Sequence, residues 1–522
     1  MTLRERVIRA TDRGAAAVVV VLLMGSVLAF GGAVWWFRPF MTLMAFGLAA
    51  LQLTRFFLLG RMPIFKSPLT LLWMGVLGLA TFQLLALPPA LARRISPAAH
   101  EIYSMGGIPR LVERDDPGLE RSQPANVRSP VSLDRSATLR WLIGAAACLA
   151  VFWSVSHFAD RLNRLYLVMG CLIAGFLING ALGIVQASCD APGLFGFIQP
   201  GQAPAWGPTW DDLLDSPGVA VAHPVEFARG PRELKRAVVM VPDRPVALGT
   251  MMGGTGAFLA LGSLALPLSL AVLLTLVSPR GSRESLALRL RQTGQGSLVV
   301  LMVLLLVPSA FLVGMAAGPR FVWPFLAALA VVGVPAALVP GARMIALGLS
   351  GVLVAAVALG TAVAVLWPTM MGGPPPIEPL DWNAHRMVWA DSARVVTQFP
   401  LVGVGLGGFS AIHPYAKSHD DTSTTALSSL LQFTLESGLA GLGAVAFAAL
   451  WALWRLPRAV ALVGSADWTL AQGLIGAAIG FILWSTVHWA AELPAVAISA
   501  SALGGTWNRF LSGGVDLFVD RG

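Results

Sequence analysis

The sequence has little cysteine and few charged residues. Each of these features excludes some classes of protein. Cysteine occurs three times in 522 residues, with Cys148 and Cys171 inside long apolar segments and Cys189 just beyond one. Such scattered thiols form neither a disulfide framework nor a metal-type cysteine spacing. Charged residues make up 12% of the chain, whereas hydrophobic residues make up 56%. A soluble globule has too little interior to bury so much apolar surface, so the composition predicts a membrane protein.

Long apolar segments recur along the whole chain. Segments of about 20 apolar residues cross a bilayer as helices, because a helix closes its own backbone hydrogen bonds. We count about twelve such segments and predict an all-α polytopic membrane protein. The predicted spans are 15–36, 39–59, 68–88, 138–157, 165–187, 245–276, 297–317, 321–340, 342–366, 427–454, 467–487 and 490–511. The sixth is longer than a bilayer requires and is rich in glycine and proline.

The net charge of +9 follows this topology and does not indicate nucleic-acid binding. Cytoplasmic loops collect lysine and arginine, and basic clusters here precede the first span and follow the second, fourth, sixth and tenth. The clusters are Arg4, Arg6, Arg9 and Arg13; Arg55, Arg61 and Lys66; Arg161 and Arg164; Arg280, Arg283, Arg289 and Arg291; and Arg455 and Arg458. Both termini are expected in the cytoplasm, and the first span is expected to be retained because it lacks a convincing cleavage site.

Three long segments are then expected on the outer side, at residues 89–137, 188–244 and 367–426. None has the length of an ordinary soluble domain. We therefore expect a single membrane domain over residues 1–522, in which the late loop 367–426 carries the candidate active site.

This late loop gathers the polar residues that chemistry would need. Arg386 and Arg394 lie on a segment with a helical pattern, DWNAHRMVWADSARVV, and Lys417 follows further along. A guanidinium presents its donors in a fixed fork that suits a diphosphate. His413 and His419 are candidate bases, because imidazole near neutral pH accepts a proton from a sugar hydroxyl. Ordinary solvation of a polar loop is the alternative explanation for each of these residues.

Four glycines in PLVGVGLGGF lie within the same loop. They indicate tight backbone turns that can approach a ligand closely. They do not form a phosphate-binding loop of the nucleotide-binding type, because the required GK[ST] is missing.

Three further polar features lie at the ends of predicted spans. Gln432 and Glu436 are one helical turn apart, at the start of the tenth span. An ionisable group in a membrane helix is a functional candidate, although a helix–helix hydrogen bond explains the pair equally well. Arg320 stands in a short external turn, either at a site or as a side chain that snorkels to the interface. His488 and Glu492 are expected to form an ion pair at the last external turn.

Several segments, taken in chain order, resemble the O-antigen ligase and polymerase superfamily of bacterial envelope glycosyltransferases. They are FQLLALPPALARRISP, VSLDRSATLRWLI, ALGIVQAS, HRMVWADS with PLVGVGLGGF, LLQFTLESGLAGL and HWAAELPAVA. This resemblance covers most of the chain. It implies a GT-C-like fold of about twelve helices, with a large external loop before the tenth span. It also implies a bacterial inner membrane location, with the active face in the periplasm.

The same resemblance implies a reaction in polysaccharide or lipopolysaccharide biosynthesis. Family members transfer a glycan from an undecaprenyl-diphosphate carrier to an acceptor such as lipid A core, with inversion and without a metal or other cofactor. The expected site contains four cations for the diphosphate, two candidate bases and two supporting residues: Arg320, Arg386, Arg394 and Lys417; His413 and His419; and Gln432 and Glu436.

Two departures from the family pattern keep other functions open. The usual His-Asn pair reads Leu427-Ser428, and the usual Asn- and His-containing motif of the sixth span reads GTMMGGTGAFLAL. A polymerase of the same fold is the second hypothesis, and a non-catalytic envelope assembly protein is another. A lipid-glycan transporter is disfavoured, because the polar groups cluster on one face and not in mid-span within repeated halves.

Overall fold

The computed structural model describes residues 3–29, 37–60, 67–104, 128–188, 254–277, 296–338, 343–371, 382–416, 425–461, 468–489 and 493–511. Within these ranges the chain is helical apart from turns and one isolated β-bridge between Leu87 and Ser129. The helices are α1 (Leu3–Val20), α2 (Phe37–Leu59), α3 (Pro68–Leu84), α4 (Pro89–Ile95), α5 (Pro97–Ser104), α6 (Arg135–Phe158), α7 (Leu162–Ser188), α8 (Gly254–Val277), α9 (Gly296–Phe321), α10 (Trp323–Ala337), α11 (Arg343–Met371), α12 (Trp382–Gln398), α13 (Phe409–Ala416), α14 (Ser429–Ala461), α15 (Trp468–Val487) and α16 (Pro494–Leu511). Helix α1 continues through a π-helical stretch, Val21–Gly25, to Leu28.

Nine helices in the described residues are long and apolar enough to cross a membrane: α1 with its continuation, α2, α6, α7, α8, α9, α11, α14 and α15. Helices α3 and α10 are apolar but shorter, and α16 has 18 residues. Every segment predicted as a span therefore contains a helix. The chain is an all-α polytopic membrane protein, as the composition predicted.

Helix α8 lies at the centre of the bundle. Nearly all of its side chains are buried, and it packs against α7, α9, α10 and α15. Helices α11 and α14 instead expose large apolar side chains, as lipid-facing helices do. Small residues let helix backbones approach closely in membranes. Helices α9 and α11 approach in this way, because a Cβ on Gly314 of α9 would overlap the Val357 carbonyl of α11.

Two of the long helices are broken by a glycine near one end. Gly318 in α9 and Gly438 in α14 have φ values of 63° and 64°, in the left-handed region that favours glycine. After Gly438 the helix restarts, and its first amides need acceptors. The Leu439 N–H donates to the Pro400 carbonyl at 2.8 Å, and the Ala440 N–H donates to the Leu401 carbonyl at 3.0 Å. The glycine-rich turn after α12 therefore closes on the restarted helix.

Four charged side chains form a closed ring at one end of the bundle. The Arg55 guanidinium pairs with Asp12 at 3.1 Å and Asp160 at 3.0 Å, and Arg164 pairs with the same two carboxylates at 2.7 and 2.9 Å. This charged ring joins α1, α2 and the turn between α6 and α7. Arg55 and Arg164 belong to the clusters that predicted the cytoplasmic side, and the two Asp carboxylates balance their charge.

The first external segment, 89–137, contains more structure than a solvated loop. Its described part forms α4 and α5, each of which has proline in its first turn, where the missing N–H costs nothing. The predicted loop helix at DWNAHRMVWADSARVV is present as α12. The second external segment, 188–244, lies outside the described residues except for Ser188 at the end of α7.

Candidate functional site

The predicted site residues that the structure describes lie at the end of the bundle opposite the charged ring. Lys417, His419 and Glu492 lie outside the described residues. Apart from Arg394, which pairs with Asp391 on its own helix, the others fall into an aromatic cluster with two histidines, a packed histidine on α13, and a hydrogen-bonded turn beside Glu436.

Arg320 lies beside the indole of Trp382, and Arg386 lies on the same helix as Trp382. Arg320 follows the break at Gly318, is exposed, and has its guanidinium carbon 5.7 Å from the centroid of the Trp382 ring. Arg386 is also exposed and lies four residues after Trp382 on α12, which places it on the same side one turn further along. The structure thus brings Arg320 against the helix that carries Arg386, although the two are 66 positions apart in sequence.

Two buried imidazoles lie next to this pair of arginines. His385 on α12 and His488 after α15 are each 4% exposed, and their ring centroids are 5.8 Å apart. His385 contacts Phe321 at 5.0 Å and Trp389 at 5.9 Å between centroids. Burial is the larger cause, and the neighbouring His385 the smaller one, by which the pKa of His488 is lowered well below its usual value.

Aromatic rings continue from the two imidazoles into the bundle and to its surface. His488 stacks between Trp484 at 5.3 Å and Trp489 at 5.7 Å, while Trp382 meets Phe321 and Trp389 at 5.7 Å each. Side chains at positions 382, 385 and 389 share one side of α12, because they are spaced by three and four residues. That spacing brings His385 into the cluster.

Hydrogen bonds from the start of α14 hold the end of α15, and with it His488. The Ser429 N–H and hydroxyl both donate to the His488 carbonyl at 3.1 Å. The Ser428 hydroxyl donates to the Thr486 carbonyl at 2.8 Å. These donors satisfy carbonyls that the last turn of a helix leaves without intrahelical partners.

Gly256, in the first turn of α8, lies directly against the His488 ring. A Cβ at this position would overlap the imidazole, so His488 packs where α8 has no side chain. The sixth span, where the usual Asn- and His-containing motif reads GTMMGGTGAFLAL, thus makes room at this glycine for a histidine that follows α15.

Replacing Gly256 by alanine is expected to displace His488 and to destabilise the protein by about 1–3 kcal/mol, the usual cost of overpacking. The measurement is the thermal unfolding midpoint in detergent. Gly348→Ala in α11 is the matched control, because a Cβ there meets nothing within 4 Å. Combining Gly256→Ala with His488→Ala removes the overlap and should recover most of the loss. An unchanged midpoint for Gly256→Ala would show that the ring is free to move.

His413 and Arg394, two predicted site residues, lie away from this cluster. His413 is 1% exposed and stacks on Phe409 at 4.8 Å within the apolar contact between α12, α13 and α14. Arg394 is exposed and pairs with the buried Asp391 at 3.2 Å on its own helix. Their predicted roles in base catalysis and diphosphate binding remain predictions.

Glu436 holds the glycine-rich turn that leads into α13. Its carboxylate accepts from the Gly407 N–H at 2.8 Å, the Phe409 N–H at 3.2 Å and the Gln432 side-chain amide at 3.2 Å. The Gln83 side-chain amide also donates to the Glu436 carbonyl at 2.9 Å. Glu436 thus supplies acceptors for the first amides of α13 and fastens α13 to α14.

The glycines of this turn make room for protein backbone. Gly403 has a φ of 68°, and a Cβ there would overlap the Glu436 backbone; a Cβ on Gly405 would lie 2.6 Å from the Ser132 hydroxyl. The close approach predicted from PLVGVGLGGF is therefore made, in the described residues, to α14 and to the segment before α6.

His385 was missing from the residues predicted from sequence. It precedes Arg386 in HRMVWADS, and the available signal was its spacing from Trp382 and Trp389. His488 was noted only as an ion-pair partner. In the part of the chain that the structure describes, no three His, Cys, Asp or Glu side chains gather in a way that could hold a metal ion.

No known protein-family model matches the chain, and no curated protein matches it in sequence.

Proposed function

We propose that the protein is a membrane-embedded glycosyltransferase of the O-antigen ligase type. It moves a glycan from an undecaprenyl-diphosphate carrier to a hydroxyl of an envelope acceptor such as lipid A core. The observation that carries this proposal is the contact of Arg320 with Trp382 on α12, the helix that also carries Arg386 and His385, beside His488 at one end of an apolar bundle. Such a site offers cations for a diphosphate and a base for a hydroxyl, beside the membrane that holds the lipid carrier.

The proposed step uses these groups in a single displacement. The acceptor hydroxyl oxygen attacks the anomeric carbon of the donor sugar, and its proton passes to the imidazole of His385. The bond from the anomeric carbon to the diphosphate oxygen breaks, and its electron pair leaves with the diphosphate. Arg320 and Arg386 stabilise that added charge through charge-assisted hydrogen bonds. Attack from the face opposite the leaving group inverts the anomeric centre.

His385 is assigned as the base in preference to the other histidines of the described chain. Burial lowers the pKa of His488 well below its usual value, which makes this imidazole a poor proton acceptor. His413 is packed against Phe409 among apolar side chains of α12, α13 and α14. His385 is the imidazole that contacts Phe321 and so lies nearest the Arg320 side of the cluster.

The finer fold and location belong to the same proposal. About twelve spans in a GT-C-like arrangement, with the site facing the periplasm of a bacterial inner membrane, agree with two facts. The three short or borderline apolar helices, α3, α10 and α16, pack with the nine long ones. Arg55 and Arg164 of the charged ring come from the basic clusters that predict the cytoplasmic side.

The test is release of undecaprenyl diphosphate from native lipid-linked glycan by the purified protein, with and without chelator. Wild type is compared with Arg320→Ala and with Arg343→Ala, an exposed arginine at the start of α11 that serves as the control. The expected result is release by wild type and by the control, and release that is about 10- to 100-fold slower by Arg320→Ala. The product then separates a ligase, which glycosylates lipid A core, from a polymerase, which lengthens the carrier-linked chain. No release by wild type, with donor shown to be present, would favour a binding or assembly role.

A further inference from the structure

We infer that Gln432 is a positioning residue that acts on His385 through the segment 425–428 and Trp389. The inference rests on the proposed function for the role of His385, while the chain of contacts stands on its own. It gives a specific task to a residue that the sequence marked only as supporting.

Gln432 is held in place by Glu436, one turn later on α14. Its side-chain amide donates to a Glu436 carboxylate oxygen at 3.2 Å. The Glu436 carboxylate is itself fixed by the amides of Gly407 and Phe409. Both side chains are buried, at 4% and 1% exposure. The Gln432 amide group therefore has a defined orientation, with its oxygen directed away from Glu436.

That oxygen determines the conformation of the segment before α14. The Ala426 N–H donates to the Gln432 side-chain oxygen at 3.1 Å. The next residue, Leu427, has a φ of 51° and is the one non-glycine residue with positive φ in the described chain. A side chain with a Cβ is unfavourable in that region, and such a conformation persists only when its surroundings impose it. The Gln432 bond to the adjacent residue supplies that constraint.

The constrained segment is hydrogen-bonded to Trp389, a neighbour of His385, and together with Ser429 to the backbone that carries His488. The Leu427 carbonyl accepts from the indole N–H of Trp389 at 3.3 Å, and Trp389 meets His385 edge to face. The following serines hold the carbonyls of Thr486 and His488. Relaxation of Leu427 would therefore turn its carbonyl away from Trp389 and loosen the packing that orients His385.

The kinetic test is a double-mutant cycle, in which Gln432→Ala, Leu427→Gly and the double variant are compared with wild type. Gln432→Ala is expected to lower kcat about tenfold or more with little change in KM for the donor, because small misplacements of a reacting group are costly. In the Leu427→Gly background the same change should cost much less, since glycine adopts the positive φ without an external constraint. Thr434→Ala, a polar side chain lost from the same helix, is the control. Wild-type kcat for Gln432→Ala, or an equal loss in both backgrounds, would overturn the inference.

A second readout needs no donor and so separates this inference from the proposed function. Amide hydrogen exchange of residues 425–429 and the rate of carbethoxylation of His385 are followed by mass spectrometry. Gln432→Ala should speed the exchange and alter the labelling rate, and Leu427→Gly should reduce both differences. If wild type transfers no glycan but these changes appear, the proposed function fails and the positioning role stands. If exchange and labelling match wild type, the positioning role fails regardless of activity.

Discussion

Replacing His385 by glutamine is expected to lower kcat for glycan transfer by about 10²- to 10⁴-fold, the usual contribution of a positioned general base. The KM for the lipid-linked donor should change little, because Arg320 and Arg386 remain. Glutamine keeps a planar polar group of similar size among Phe321 and Trp389, so the fold should tolerate it. The measurement is steady-state transfer to acceptor, with donor release followed in parallel.

The matched control is His100→Gln on α5, where the imidazole contacts Arg93 and Ser129 outside the aromatic cluster. That variant should transfer at the wild-type rate. His413→Gln tests the base predicted from sequence. Full activity of His385→Gln together with loss of activity in His413→Gln would identify His413 on α13 as the base and would contradict the assignment of His385.

Replacing Arg320 by alanine is expected to reduce kcat/KM for the donor by about 10- to 100-fold, since a hydrogen bond to a charged group contributes about 1.5–3 kcal/mol. Arg320→Lys should fall between wild type and alanine. Lysine keeps the charge but loses the planar fork that binds two oxygens at once. Arg386→Ala should give a loss of the same order, because Arg386 is an exposed cation on the helix that Arg320 contacts through Trp382.

The double variant Arg320→Ala/Arg386→Ala shows whether the two arginines act on one ligand. Residues that share a ligand give coupled effects, while independent positions add. Coupling is the expected result. Strict additivity would show that the two arginines act independently. Full activity of Arg320→Ala would leave Arg320 as a side chain that merely reaches the interface. Arg343→Ala is the control for the general effect of removing one positive charge from the protein.

Much of the fold was accessible from the sequence because the membrane simplifies the problem. Apolar length alone predicts spans, so every predicted segment contains a helix, even the short α3 and α10. The breaks at Gly318 and Gly438 were not predicted. A glycine within an apolar segment does not reveal in the sequence which other part of the backbone will pack against it. In α14 that backbone comes from Pro400 and Leu401, which are distant in sequence.

The site was only partly accessible, for a different reason. Arg320 and Arg386 were identified because charge is scarce in this chain. His385 was missed because it is a site candidate only through its contacts with residues of α9 and at the end of α15. The local sequence around His385 does not indicate those contacts. His413 illustrates the converse, since its loop position suggested a free imidazole, but Phe409 four residues earlier on the same helix packs against it. Pairing between distant segments requires the structure.

The length of α6 has a consequence for the depth at which chemistry takes place. The Gly407 turn packs on the backbone of Ala137, near the start of this helix, and the charged ring includes Asp160, just beyond its end. At a rise of about 1.5 Å per residue, the two levels are about 35 Å apart, whereas the hydrocarbon core is about 30 Å thick. With α6 along the membrane normal, the charged ring and the turn beside Glu436 therefore cannot both lie within the hydrocarbon. On the proposed function, a carrier lipid keeps its tail among the acyl chains and presents its diphosphate at the end of the bundle that carries Arg320 and Arg386, where a membrane-anchored acceptor such as lipid A core also reaches.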